Sequence, residues 1–211
     1  TPAQRSKRTG IMHVLKKGWR KPTDGFHIPQ DEIDFVDEKM GSNNTGHSPS
    51  TYGEITELGA RQLFDCMGLV ADDDDDKNDA NFTFVDLGCG SGKLLIQAYM
   101  ELPHVTRIVG IELATARHAL GVRAWELVGE EARGVRMALQ TEADNSSARV
   151  LDANLDIIQG DLYGLDLSTA THIYVASLCF TEEMMNRLAE KLVAEASQLK
   201  CVATLKPFSE E

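Results

Sequence analysis

The 211-residue chain contains no run of about eighteen apolar residues, so no part of it reads as a membrane span. Its opening, TPAQRSKRTG, lacks the apolar core of a secretory signal. Cysteine is sparse. Cys66, Cys89, Cys179 and Cys201 form no CxxC pair and no finger-like spacing, which argues against a zinc site or other metal centre and against a disulfide framework. Reduced thiols in a nuclear or cytoplasmic protein are the expectation. In the absence of a signal, the N-x-S/T patterns at Asn43, Asn81 and Asn145 read as chance. No internal repeat is visible. The start without methionine and the end soon after a strand-like segment suggest trimmed termini.

Acid is absent from the first twenty-one residues, which carry seven basic side chains: Arg5, Lys7, Arg8, Lys16, Lys17, Arg20 and Lys21. The rest of the chain carries 14 basic and 33 acidic residues, a balance of -19. Such a body repels a phosphate backbone, and its field suits a basic partner such as a lysine-rich protein. Nucleic acid contact is expected to be weak at most, through the basic arm; otherwise the arm is a localisation signal or a disordered tail.

One domain with embellishments is expected at this length. Residues 1–50 read as a basic N-terminal arm and irregular lid region. Pro22, Pro29 and Pro49, with Gly25, Gly41 and Gly46, leave little room there for long regular elements. Residues 51–211 read as the main domain. Ile55, Leu58, Leu63, Phe64 and Met67 recur near helical spacing from Thr51, and Gly68 stands at the stop. The acidic run 71–79 is expected to be a solvated loop.

Strands are predicted over Phe82–Leu87, Arg107–Ile111, Leu155–Gln159, His172–Ala176 and Cys201–Leu205. Between them, helices are predicted over Lys93–Leu102, from Ala114 to about Gln140, and over Thr181–Leu199, with Thr181 as N-cap of the last. The second of these would place Arg117, Leu120, Ala124, Leu127 and Val128 along one face. The alternation implies an α/β fold: a doubly wound, mostly parallel, Rossmann-like sheet with an N-terminal helical or irregular extension.

In such a sheet the ligand sits at the carboxyl ends of the strands, beside the turn DLGCGSGK. A P-loop fails there: Gly88 and Gly92 are three residues apart, and Leu94 follows Lys93 where a hydroxyl is needed. A dinucleotide turn would need a small residue where Lys93 stands, and Asp86 would face a pyrophosphate. S-adenosylmethionine, with an ammonium beside a sulfonium, suits an acid before Gly88, Gly90 and Gly92, where bare backbone permits close approach. Glu112, ending the second strand, is placed to accept from a ribose diol. Asp161 follows the third strand, where it would mark an adenine, with Leu162 packing on the ring. Glu112 and Asp161 also read as ordinary loop acids or helix caps.

VDLGCGSGK, VGIE, GDL and LKPF resemble the class I methyltransferases, and SPSTYGEIT, residues 48–56, narrows the resemblance to the disruptor-of-telomeric-silencing family. Those are protein lysine methyltransferases without a SET domain, acting on a core-histone lysine. The resemblance covers roughly residues 47–208. It implies that Tyr52, Gly53 and Glu54 close over the methionine end of the cofactor, together with Asp86 to Lys93, Glu112, Asp161 and Leu162. The T-x-x-E spacing of Thr51 and Glu54 also reads as a helix capping box.

Departures fall where the acceptor would sit. Ala176 and Ser177 stand at two family asparagines, Ile55 replaces a threonine, and Glu211 comes before the strands with which the family ends. The resemblance implies lysine methylation, with Tyr52, Phe180 and Tyr174 lining an acceptor channel and Ser177 near the reacting nitrogen; core packing is the alternative for Tyr174 and Phe180. A methyltransferase acting on RNA or a small molecule, and a silent cofactor-binding module, remain open.

Overall fold

Every residue of the strand β1 (Phe82–Leu87) is buried, as expected of a central strand covered on both faces. The computed structural model describes residues 2–19, 21, 23–41, 50–70, 82–102, 104–143 and 153–209. The acidic run 71–79 and the start of the SPSTYGEIT segment lie outside them. Four further strands, β2 (Val105–Glu112), β3 (Asn154–Gln159), β4 (His172–Val175) and β5 (Cys201–Thr204), complete a sheet of order β3-β2-β1-β4-β5. All four pairings are parallel. The observed strands agree with the predicted ones to within two residues.

Alternating side chains feed two layers. Phe82, Phe84 and Tyr174 join one apolar cluster, and Val85, Leu87, Ile173 and Val175 the other. The helices α3 (Glu57–Cys66), α4 (Lys93–Glu101) and α5 (Thr115–Ala143) contribute to the first cluster; α6 (Glu182–Glu195) fills the second through Met184, Met185, Leu188 and Leu192. The predicted cap of α6 is present: Met184 N donates to Thr181 Oγ1 at 3.2 Å.

The face of α5 differs from the expected one. Leu127 is exposed, and the buried stripe runs through Arg117, Gly121, Ala124, Val128, Ala132 and Arg136. A small residue there lets the glycine turn approach closely: a Cβ on Gly121 would meet Ser91 O at 3.1 Å.

The N-terminal region is more regular than its charge suggested. The helix α1 (Pro2–Gly18) spans most of the basic arm, and Ile11, Val14, Leu15 and the following Trp19 are buried in the first cluster. Their spacing is helical, and each such burial contributes roughly 1.5–3 kcal/mol. Charge helps the seat: Lys17 pairs with Glu131 of α5 at 2.7 Å. A second helix, α2 (Gln30–Met40), occupies part of the lid region where prolines argued against long elements. Pro29 stands at its N-cap and Gly41 at its C-cap, so both residues bound the helix rather than break it.

Candidate functional site

The chain passes from β1 to β2 on one side of the sheet and later to β4 on the other, opening a crevice at the carboxyl ends of β1 and β4. A cavity of about 410 Å³ lies there. The glycine turn forms its floor. Gly88, Gly90 and Gly92 all have positive φ, and Gly88 N and Cys89 N both donate to Ile111 O, lacing the turn to β2. At Gly90 the absence of a side chain is obligatory, since a Cβ would meet Tyr52 Cε2 at 2.4 Å.

Parallel register brings the strand-end acids together. Asp86 is paired with Gly110, two residues before Glu112. Asp86 is 3 % exposed and faces the cavity, and its Oδ1 has no hydrogen-bond partner among the described residues. Burial, reinforced by the nearby Glu112, pushes its carboxyl up to about 8. Glu112 also faces the cavity and accepts from Gly90 N at 2.8 Å and Ala114 N at 2.9 Å, so one carboxylate joins the glycine turn to the start of α5. The buried thiol of Cys89 is pushed up by burial and by the charge of Asp86 and Glu112.

Tyr52 and Glu54 cover the turn. The Tyr52 hydroxyl donates to Glu54 Oε1 at 2.6 Å, lies 3.0 Å from Ser91 Oγ, and accepts from Ser91 N at 3.2 Å. Glu54 also accepts from Ser91 Oγ at 3.1 Å and pairs with Lys93. Burial and the Glu54 contact raise the Tyr52 phenol above its ordinary range, so it stays protonated. Thr56, not Thr51, caps α3, accepting from Gly59 N at 3.1 Å. The capping-box reading of Thr51 and Glu54 is therefore overturned, because α3 starts too late for Glu54 to lie in its first turn.

The rest of the cavity wall is largely apolar: Leu162, Tyr174, Leu178, Phe180 and Leu205, with Val36 and Met40 from α2. Tyr174 belongs both to the core and to this wall. Gly53, Gly88 and Leu113 line it as well.

Three expected site residues lie elsewhere. Ser177 is fully buried and its Oγ accepts from Lys206 N at 3.0 Å, so it fastens the end of β5 instead of meeting an acceptor nitrogen; Ala176 takes the place on the wall. Asp161 accepts from Tyr163 N at 3.0 Å, capping the one-turn helix Leu162–Gly164 away from the wall. Gly92 packs behind the turn against Ile157 and Gly121.

Sequence reasoning missed α2's share of the wall and the position of Arg117, a buried cation that also faces the cavity. The signal was present: an arginine on the apolar face of an amphipathic helix needs buried acceptors.

No family model matches the sequence, and no curated protein matches it. Among solved structures, the chain is similar to an RNA methyltransferase from Salinibacter ruber in complex with S-adenosyl-L-homocysteine, at 20% identity over 72% of this chain and 76% of that one, TM-score 0.45. It is similar to an rRNA methyltransferase from Streptomyces viridochromogenes, at 14% identity over 84% and 80%, TM-score 0.46. A geranyl diphosphate methyltransferase in complex with GPP and sinefungin matches at 13% identity over 92% and 66%, TM-score 0.47.

Proposed function

We propose that the chain is an S-adenosylmethionine-dependent methyltransferase whose acceptor is a lysine side chain of a protein. One observation carries the donor assignment: a buried acid, Asp86, keeps an oxygen without a partner among the described residues, beside side-chain-free backbone and within reach of a second acid. An unpaired buried acid is costly, and a cation is the ligand that relieves it. A phosphate would raise the cost. The donor fits this chemistry: Asp86 would hold its ammonium end, Glu112 its ribose, and Leu162 one side of its base.

When bound, the donor supplies an electrophilic methyl group on a sulfonium. The chain's own residues then have three tasks. Tyr52 and Glu54 exclude water from above the glycine turn. Tyr174, Phe180, Leu178 and Leu205 make the mouth apolar, which disfavours an ammonium and favours the neutral amine a lysine needs for attack. The rigid wall of β4 and the segment after it aligns that amine. A net charge of -12 favours a basic protein over RNA as the acceptor, in a nuclear or cytoplasmic setting.

Incubation with methyl-labelled donor and histones, whole-cell protein or RNA, followed by mass spectrometry of the products, tests this reading. Methylated lysine ε-amines are expected. Label on RNA alone would overturn the acceptor assignment, and tight donor binding without transfer would leave a binding module.

A further inference from the structure

Arg117 is the third residue of α5 and is 5 % exposed. A buried guanidinium must find acceptors for its protons. Nε donates to Gly25 O at 3.0 Å, and Nη2 donates to Ser50 O at 2.7 Å. Gly25 precedes α2 and Ser50 follows it, so one side chain fastens both flanks of the element that covers the cavity. The guanidinium also lies over the Tyr52 ring, 4.6 Å from its centroid, while Phe26 meets that ring edge-on at 5.0 Å. Gly25 has a φ of +98° and no room for a side chain, since a Cβ would meet Tyr52 Cε1 at 2.9 Å.

Two contacts from α2 complete the clasp. Glu32 accepts from Ala116 N at 2.9 Å, beside Arg117 on the first turn of α5, and Asp37 accepts from Ser50 N at 2.8 Å. The ring so held delivers its hydroxyl to Glu54 and Ser91, the residue next to Gly90, whose N–H donates to Glu112.

The geometry points to Arg117 as a positioning residue: it holds residues 23–41 and 50–54 closed over the glycine turn, and donor affinity depends on that hold. The inference rests on the donor reading above. Lysine cannot replace it, because a point charge on a flexible stem does not serve two divergent carbonyls and a ring face together.

The test uses the full chain with Arg117→Lys and Arg117→Ala. Amide hydrogen exchange is followed at Ser91, held by the Tyr52 hydroxyl, and at Ser50, held by Asp37; Thr83, held by Thr171 at 2.9 Å elsewhere in the sheet, is the reference. In Arg117→Lys, Ser50 and Ser91 should exchange about 10- to 100-fold faster while Thr83 is unchanged. The dissociation constant for S-adenosylhomocysteine, measured by calorimetry, should rise by a similar factor of about 10–100, with KM for the donor affected more than kcat. Equal acceleration at all three amides would make Arg117 merely structural and overturn the proposal; so would unchanged exchange. Should Arg117→Ala fail to fold, Arg117→Lys decides. Should the unaltered chain bind no S-adenosylhomocysteine, the donor reading fails, and the exchange contrast alone supports or overturns the hold on the covering segment.

Discussion

Replacing Asp86 by Asn should make the ligand-free protein more stable near neutral pH and, at the same time, unable to hold the donor. The ordinary aspartate value is 3.8, and in the folded chain burial and Glu112 push it to about 8. An acid whose folded value is raised keeps its proton in the native state after the unfolded chain has lost it. Stability therefore falls as pH rises through the window between 3.8 and about 8, and is level on either side. At about 1.4 kcal/mol per unit of pKa difference, the penalty reaches roughly 4 kcal/mol at pH 7. Asparagine removes this charge-linked penalty but brings an amide of its own, costing about 1–3 kcal/mol if unpaired. That second cost does not vary with pH and cancels in a comparison across pH. Between pH 5 and pH 7 the stability gap between Asp86→Asn and the unaltered chain should shift in favour of the variant by about 3 kcal/mol. For a chain of this size that corresponds to roughly 6–12 °C in Tm. Thermal unfolding of both proteins at the two pH values, with and without S-adenosylhomocysteine, makes the measurement. Ligand at about 100 times its dissociation constant should raise the stability of the unaltered chain by about 3 kcal/mol and leave the variant unmoved. Parallel stability curves across this pH range would refute the raised titration. Undiminished ligand stabilisation in the variant would refute the role of the carboxylate.

Gly90→Ala adds a Cβ at φ +58°, 2.4 Å from the Tyr52 ring, so titration with S-adenosylhomocysteine should show affinity reduced by at least about tenfold. Ser177→Ala should lower the unfolding midpoint by the equivalent of about 1 kcal/mol through the lost Lys206 contact. Its kcat should be unchanged, and a collapse in kcat would return Ser177 to the chemistry. Arg136→Leu takes from the carbonyls of Tyr99, Leu102 and Val105 the guanidinium that meets them at 2.6, 3.0 and 2.8 Å, and urea denaturation should show a loss of about 1–3 kcal/mol for each carbonyl left unpaired.

The central sheet was legible because its signals are local. β1 reads as an apolar run closed by an acid and glycines, and a buried parallel strand has that pattern whatever its neighbours are. The cap at Thr181 was legible for the same reason, since a hydroxyl before two acids at a helix start satisfies amides within three residues of itself. The N-terminal helix was obscured by its charge. Lys16 and Lys17 drew attention to a basic arm, while the spacing of Ile11, Val14 and Leu15 held the information that mattered for packing. At the site, Ser177 and Asp161 lie two residues beyond the ends of β4 and β3, and accept from Lys206 N and Tyr163 N. Sequence position names the strand end on which a residue sits. It does not name the direction of the side chain after the strand stops.

The order of elements from β1 onward, the parallel sheet and the acids at 86 and 112 followed from the sequence alone, because strand alternation, glycine chemistry and crossover handedness act over short stretches of chain. Tertiary structure alone decided that Asp86 Oδ1 is left without a partner among the described residues, that α2 closes the cavity, and that Arg117 clasps Gly25, Ser50 and Tyr52. Those outcomes depend on groups up to 92 residues apart meeting in a buried space, where the cost of an unmet charge fixes who must face whom.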